Sequence, residues 1–462
     1  MRGKLLLRGG TVLTMVRGDE PRVADVLVED GRIAAIGTAL HADAELIDVS
    51  DHIVMPGFVD AHRHAWQTQL RGITHSWGLK DYIRSVRMRC GPQYTPEDME
   101  IGNRAGMLEA LAAGVTTVLD YCHNLPTRDH AEAALDGTFA AGIRSTFAFG
   151  LTGNYGVGTS FELDDRVAYV EELRARRFSC SRGLVQLGLN ASDLAAEGPE
   201  RLIREVEIAR ELELPITLHA LSYNLPGMRA PGARTEVDVL RDAGLCGADM
   251  VWVHMSLATQ GECDHVVSSG GAIASTPEAE IQMGMGRPVV ARTLAAGGEP
   301  CLGVDVTANN SGCLFSQMRI ALQVERMIAN DPILERGEAP DAISPSTEQI
   351  VRAATVGGAK AMGLDHEIGT LEVGKQADVI TLDGGDVNLL PVNDVLGAVA
   401  LHAHPGNVSN VLVAGTVRKR AGRLVDDLAD VRRRVRDSNA RIFAELERTG
   451  GLIAQPPVDL GF

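Results

Sequence analysis

Long apolar runs are missing from this 462-residue chain. None reaches the ~18–20 residues of a membrane span, and Leu5-Leu6-Leu7 is too short for the core of a signal peptide. Without either signal, a cytoplasmic protein with no membrane partner is expected. The seven cysteines are odd in number and contain no Cys-x-x-Cys. Reduced thiols fit that pattern better than a disulfide framework. Positive charge is scarce as well. The net charge is −17, and only five lysines occur, none between Lys80 and Lys360. Sequence-independent nucleic-acid binding relies on Lys and Arg neutralising phosphates, so no nucleic-acid partner is expected. The Gly-rich piece Gly284-Met285-Gly286 lacks the strand–turn–helix setting of a phosphate loop. A His-x-Glu with Pro-Cys-x-x-Cys, the signature of one class of zinc enzyme, is also absent.

What is present falls into two textures. The first ~55 residues read as short strands broken by Gly/Asp turns such as Glu29-Asp30-Gly31. The same texture returns after about residue 368, around Val379-Ile380-Thr381-Leu382 and Val408–Val417. The long middle alternates apolar strands with helical stretches. Eight strands are expected, ending near His64, Asp120, Gly150, Asn190, His219, His254, Thr276 and Asp305. That alternation predicts an α/β fold: a (β/α)8 TIM barrel over 57–367. A small composite β-sandwich domain, built from both termini as 1–56 plus 368–425, would accompany it. Residues 426–462 would form a C-terminal helix and tail. The Arg- and Asp-rich stretch 426–449 reads as a solvated surface element or an oligomer contact.

Chemistry concentrates at the strand ends. Asp60-Ala61-His62-Arg63-His64 follows the apolar run Ile53–Val59. Strand side chains alternate with period two, so His62 and His64 share one side and Arg63 faces the other. In these barrels catalytic groups sit at the C-terminal strand ends. Those ends supply His62 and His64, then His123, His219, His254 and Asp305. Neutral imidazoles with a carboxylate suit zinc and other divalent metals. His62, His64, His219 and Asp305 would hold one metal and leave room for a water. Zn²⁺ is the first expectation, and Fe²⁺ or Mn²⁺ would use the same donors.

With these residues in place the sequence resembles the amidohydrolase superfamily, in its cytosine deaminase, S-adenosylhomocysteine deaminase and triazine hydrolase-like branch. The resemblance rests on Pro56–His64, His219, His254, Leu302-Gly303-Val304-Asp305 and the tail Ile368–Asp378, and it covers nearly the whole chain. It implies a metal-dependent hydrolase attacking a non-peptide C–N bond of a small, heterocyclic substrate, and a homodimer or higher homo-oligomer. It also implies that Asp305 helps deprotonate the water and that His254 polarises substrate or nucleophile. Members with two metals bridge them with a carboxylated Lys on the fourth strand. Here that strand reads Leu184–Asn190 without Lys, so one metal is expected.

The pattern breaks after the fifth strand. Three residues past the strand-5 histidine the branch carries a proton-shuttling Glu, and here the residue is Ser222. A serine hydroxyl is no general acid near pH 7. Glu278 and Glu280, in Thr276-Pro277-Glu278-Ala279-Glu280, are candidates to move that proton, and His123 is another. Trp66, Tyr121, Ser222 and Asn309 are candidate substrate contacts. Ser222 also raises the alternative of a related metal enzyme with non-ammonia chemistry: dehalogenation, ring opening or elimination. A non-catalytic binding barrel is a further alternative.

Overall fold

The computed structural model describes residues 3–152, 161–178, 183–222 and 233–452. The end of the expected tail, 453–462, lies outside the described residues. Strands from both chain ends share one nine-stranded sheet. The N-terminal part supplies β1 (Leu5–Val12), β2 (Arg22–Glu29), β3 (Arg32–Gly37), β4 (Glu45–Asp48) and β5 (His52–Pro56). Much later in the chain, β14 (Val379–Asp383), β15 (Val408–Val413), β16 (Thr416–Arg420) and β17 (Arg423–Leu424) join antiparallel to β5. β1 turns the sheet on itself. Its first half pairs with β4 and its last two residues with β5, across an irregularity at Gly9-Gly10. Gly9 has φ +81°, and a Cβ on Gly10 would meet the Val54 side chain at 2.5 Å, so both positions require glycine. Leu5, Leu7, Val26, Val28, Val54, Val379 and Leu412 then form a core private to this sheet.

The barrel strands are β6 (Phe58–Arg63), β7 (Val115–Cys122), β8 (Arg144–Gly150), β9 (Val185–Asn190), β10 (Ile216–Ala220), β11 (Met250–His254), β12 (Ala272–Ser275) and β13 (Cys301–Leu302). Neighbours pair in parallel in that order. Two backbone bonds close the ring between its ends: Asp305 N–H donates to His62 O at 2.8 Å, and His64 N–H to Asp305 O at 2.9 Å. The (β/α)8 expectation therefore holds, with strand ends within a few residues of those read from the sequence. β13 stops earlier than expected, at Leu302, and beyond it Asp305 takes a left-handed turn at φ +67° while bridging to Arg63.

Local signals delimit the outer helices. Thr95 and Asp98 form a capping box at the start of Pro96–Ala112, and Gly142 at φ +65° ends Arg128–Ala141. The C-terminal helix Leu428–Arg448 is more than a solvated element. It buries Val431, Ser438, Ile442 and Leu446, spaced as one helical face, against the barrel's first long helix. Among the described residues no helix is long and apolar enough to cross a membrane.

Candidate metal centre

The C-terminal ends of β6, β10, β11 and β13 converge on one cluster of side chains. Period-two alternation puts His62 and His64 on one side of β6, with ring centroids 4.7 Å apart. Asp305 Oδ1 lies 3.3 Å from Nε2 of each ring. His219 from β10 stands 5.2 Å from His62 and 5.5 Å from His64, centroid to centroid. His254 from β11 completes the ring of imidazoles at 5.5 Å from His62 and 5.4 Å from His219. Two sets of donor atoms lie within 4.8 Å of one another: His62, His64 and Asp305, and His62, His219 and His254, so His62 belongs to both. All five side chains are buried.

The other side of three of the rings is held. His64 Nδ1 donates to the Tyr121 carbonyl at 2.9 Å. His219 Nδ1 donates to Asp193 Oδ1 at 3.0 Å. His254 Nδ1 lies 3.0 Å from Thr276 Oγ1. An acceptor behind Nδ1 selects the tautomer that leaves the Nε2 lone pair turned to the centre. Burial pushes His62 well below its ordinary value and His219 down to about 4, so both are neutral at pH 7. Burial opposes ionisation of Asp305, but the His62 and His64 imidazoles beside it hold its carboxyl well below the usual range. Neutral imidazoles and an ionised carboxylate are the protonation states a divalent cation requires. His62 Nδ1 is buried without a hydrogen-bond partner, and its Nε2 faces the Asp305 carboxylate at 3.3 Å. His62 stands at the crossing of both donor sets, where an unsatisfied buried nitrogen is costly. The donor set therefore fits a divalent metal. His254 and Asp305 also hold left-handed backbone, at φ +72° and +67°. Such strain gathers at functional sites.

The remaining expected site residues differ in their surroundings. His123 is buried against His64 and Trp66, at 4.6 and 5.5 Å between centroids. Both of its ring nitrogens are unpartnered, and burial keeps it neutral. Trp66 Nε1 is likewise buried without a partner. Tyr121 is a support: its ring stacks on His219 at 4.2 Å, and its hydroxyl donates to Ala191 O. Glu280 lies behind His254. Its Oε1 accepts from Thr276 N at 2.6 Å and stands 3.6 Å from His254 Nδ1, while Oε2 accepts from Ser275 Oγ. Glu278 accepts from Ser311 Oγ and Gln317 Nε2, and burial raises its carboxyl. Asn309 is bound to Gln282 through both its carbonyls, and Ser222 is buried after β10.

Sequence reasoning overlooked Asp193. It follows the β9 end at Asn190, where the barrel rule puts functional groups, and that position was the available signal. Its carboxylate also faces Arg87 Nη1 at 3.8 Å. Glu236 was overlooked too. It is buried, accepts from Leu221 N at 3.2 Å, and burial raises its carboxyl to about 7.

Comparisons with known proteins bear on the family and the fold. The model of the amidohydrolase family matches residues 53–418. A 5-methylthioadenosine/S-adenosylhomocysteine deaminase from Symbiobacterium thermophilum is 30% identical over 453 residues, 96% of this chain and 100% of the relative. An adenosine deaminase from Xanthomonas campestris, solved with bound zinc, superposes with a TM-score of 0.83 at 23% identity, covering 95% of this chain and 98% of that one. The atrazine chlorohydrolase of Arthrobacter aurescens, solved with zinc, gives 0.81 at 24% identity, covering 95% and 100%. These two likenesses speak for the fold.

Proposed function

The chain belongs to the amidohydrolase family, and from that premise we infer a mononuclear metal-dependent hydrolase of a non-peptide C–N bond in a small heterocycle. The observation that carries this reading is the crossing of two buried donor sets at His62, whose Nε2 faces the Asp305 carboxylate at 3.3 Å. His62, His64, His219 and Asp305 would hold the metal, with Zn²⁺ first among the candidates. Zinc, when bound, acts as a Lewis acid and brings the pKa of a water from 15.7 to about 7. No lysine stands on β9 to bridge a second ion.

Asp305 would take the proton that the attacking water gives up. His254 would hydrogen-bond the atom on which charge develops, and would carry a proton towards the departing nitrogen. Thr276 and Glu280 stand behind it in that role: the hydroxyl, 3.0 Å from Nδ1, fixes the ring, and the carboxylate lies 3.6 Å from the same nitrogen. Glu278 is a weaker candidate for that transfer, since Ser311 and Gln317 already use its Oε2. His123, neutral and without a partner, would contact the substrate beside Trp66. Ser222 and Asn309 are further candidate contacts. A cytoplasmic homo-oligomer acting on a small molecule accords with the family.

One observation favours a second reading. Ser222 supplies no carboxyl after β10, and a good leaving group needs less acid assistance. Displacement of halide, ring opening or elimination would then replace ammonia release. A panel of aminated purine nucleosides and chlorinated triazines, assayed for ammonia and for chloride with zinc-loaded protein, tests both. Ammonia release supports the first reading. Chloride release without ammonia supports the second. Turnover that survives chelation refutes both.

A further inference from the structure

A short join of the barrel lies under its candidate metal ligands. β13 is two residues long, and the ring closes onto β6 through the two backbone bonds between Asp305 and His62/His64. His62, His64 and Asp305 straddle that seam. Two buried charges lie directly behind it. Asp60 Oδ1 accepts from Val304 N at 3.0 Å and from His62 N at 3.3 Å. Its Oδ2 accepts from Arg63 Nε at 2.8 Å. Arg63 Nη2 donates to Gly312 O at 2.8 Å, at the end of the segment that follows Asp305. Arg63 Nη1 stands 3.6 Å from Glu109 Oε2. Asp60 and Arg63 are 0% and 1% exposed. Gly303 allows the close approach, since a Cβ there would meet the His62 backbone at 2.8 Å. A side-chain carboxylate thus supplies the ladder bond that the short strand lacks, and the guanidinium ties the same carboxylate to the loop beyond.

We propose that Asp60 and Arg63 are a positioning pair that clamps the β6–β13 seam and sets Asp305 against His62 and His64, so that metal retention depends on them. Neither residue belongs to the candidate donor sets. The inference rests on the metal reading above, and a metal-free readout separates the two.

The test uses the full chain with Arg63→Met, Asp60→Asn and Arg63→Lys. Arg71→Met is the control, because Arg71 binds the same Glu109 from the exposed side. Two quantities are read: zinc affinity by chelator competition, and amide exchange of the seam peptides in metal-free protein. Arg63→Met is expected to weaken zinc binding 10–100-fold, the usual effect of losing an outer partner of a metal site. Exchange at His64, Val304 and Asp305 should rise at least tenfold, while β10 and β11 stay protected. Arg63→Lys reaches one of the two acceptors and restores part of both effects. Should Arg63→Met fail to fold, Asp60→Asn decides: it keeps an acceptor for Val304 N and loses the charge facing Arg63. Unchanged exchange and unchanged affinity in a folded variant overturn the proposal. So does exchange raised equally around the whole barrel, which would mean general stability instead of a seam clamp. A parent chain that binds no zinc refutes the metal reading, and the exchange arm still decides the clamp.

Discussion

Replacing Glu280 by glutamine isolates the charge behind His254 from the shape around it. The carboxylate is fully buried, and its two oxygens are taken by Thr276 N at 2.6 Å and Ser275 Oγ at 2.8 Å. Glutamine keeps an oxygen for Thr276 N, and Ser275 can turn its hydroxyl to accept from the new amide. The fold should survive with a cost of about 1 kcal/mol. The charge is what disappears. At 3.6 Å from His254 Nδ1, a carboxylate and an imidazolium attract by about 4 kcal/mol at the effective dielectric of ~20 suited to protein sites. The amide dipole replaces part of that attraction, which leaves about 2–3 kcal/mol, on the order of a hundredfold in rate if His254 carries positive charge in the transition state. The expected outcome is kcat down about a hundredfold, KM changed less than about threefold, and a zinc content equal to the parent's. Steady-state kinetics on any substrate from the panel, with metal analysis alongside, reads all three. A kcat within threefold of the parent would refute the charge support of His254 by Glu280.

Other consequences follow from the same geometry. Asp193→Ala removes the acceptor that orients His219 and should weaken zinc binding ~10–100-fold in chelator competition; unchanged affinity would remove Asp193 from the site. Chelation should abolish turnover and added zinc should restore it, and activity persisting in metal-free protein would refute the metal requirement. Glu236 gives a pH dependence of stability. Its carboxyl is raised from 4.5 to about 7 in the folded state, so between those values the native chain holds a proton that the unfolded chain has released. Stability relative to a Glu236→Gln variant should therefore fall as pH rises from about 4.5 to about 7, by about 3 kcal/mol in all. Denaturant unfolding of both proteins across that range checks it, and a pH-independent difference would contradict it.

Much of this was legible because strand ends carry both a periodic and a positional signal. The apolar run before Asp60, the two-residue spacing of His62 and His64, and Asp305 after Leu302-Gly303-Val304 pointed to one end of one barrel. The partners behind the imidazoles were harder to see. Asp193 lies three residues beyond its strand, and nothing local distinguishes it from a helix-capping aspartate. Glu280 read as a candidate to move the proton itself, and one turn of helix after Pro277 carries it back beneath Thr276. The C-terminal helix looked solvated because its charges outnumber the four side chains it buries. Its grip on the barrel is a matter of long-range pairing: Ser438 donates to Asp98, and Asn439 to the Gln69 carbonyl. No spacing within the helix could reveal that.

The central claim is that a metal-activated water replaces a nitrogen on a heterocyclic carbon. Single-turnover reaction of zinc-loaded protein with an aminated heterocycle in ¹⁸O-labelled water tests it most directly. The account predicts one labelled oxygen on the carbon that lost nitrogen and one ammonia per product, both abolished by chelation and by His62→Ala. Product carrying no label, or formed equally well without metal, would contradict it.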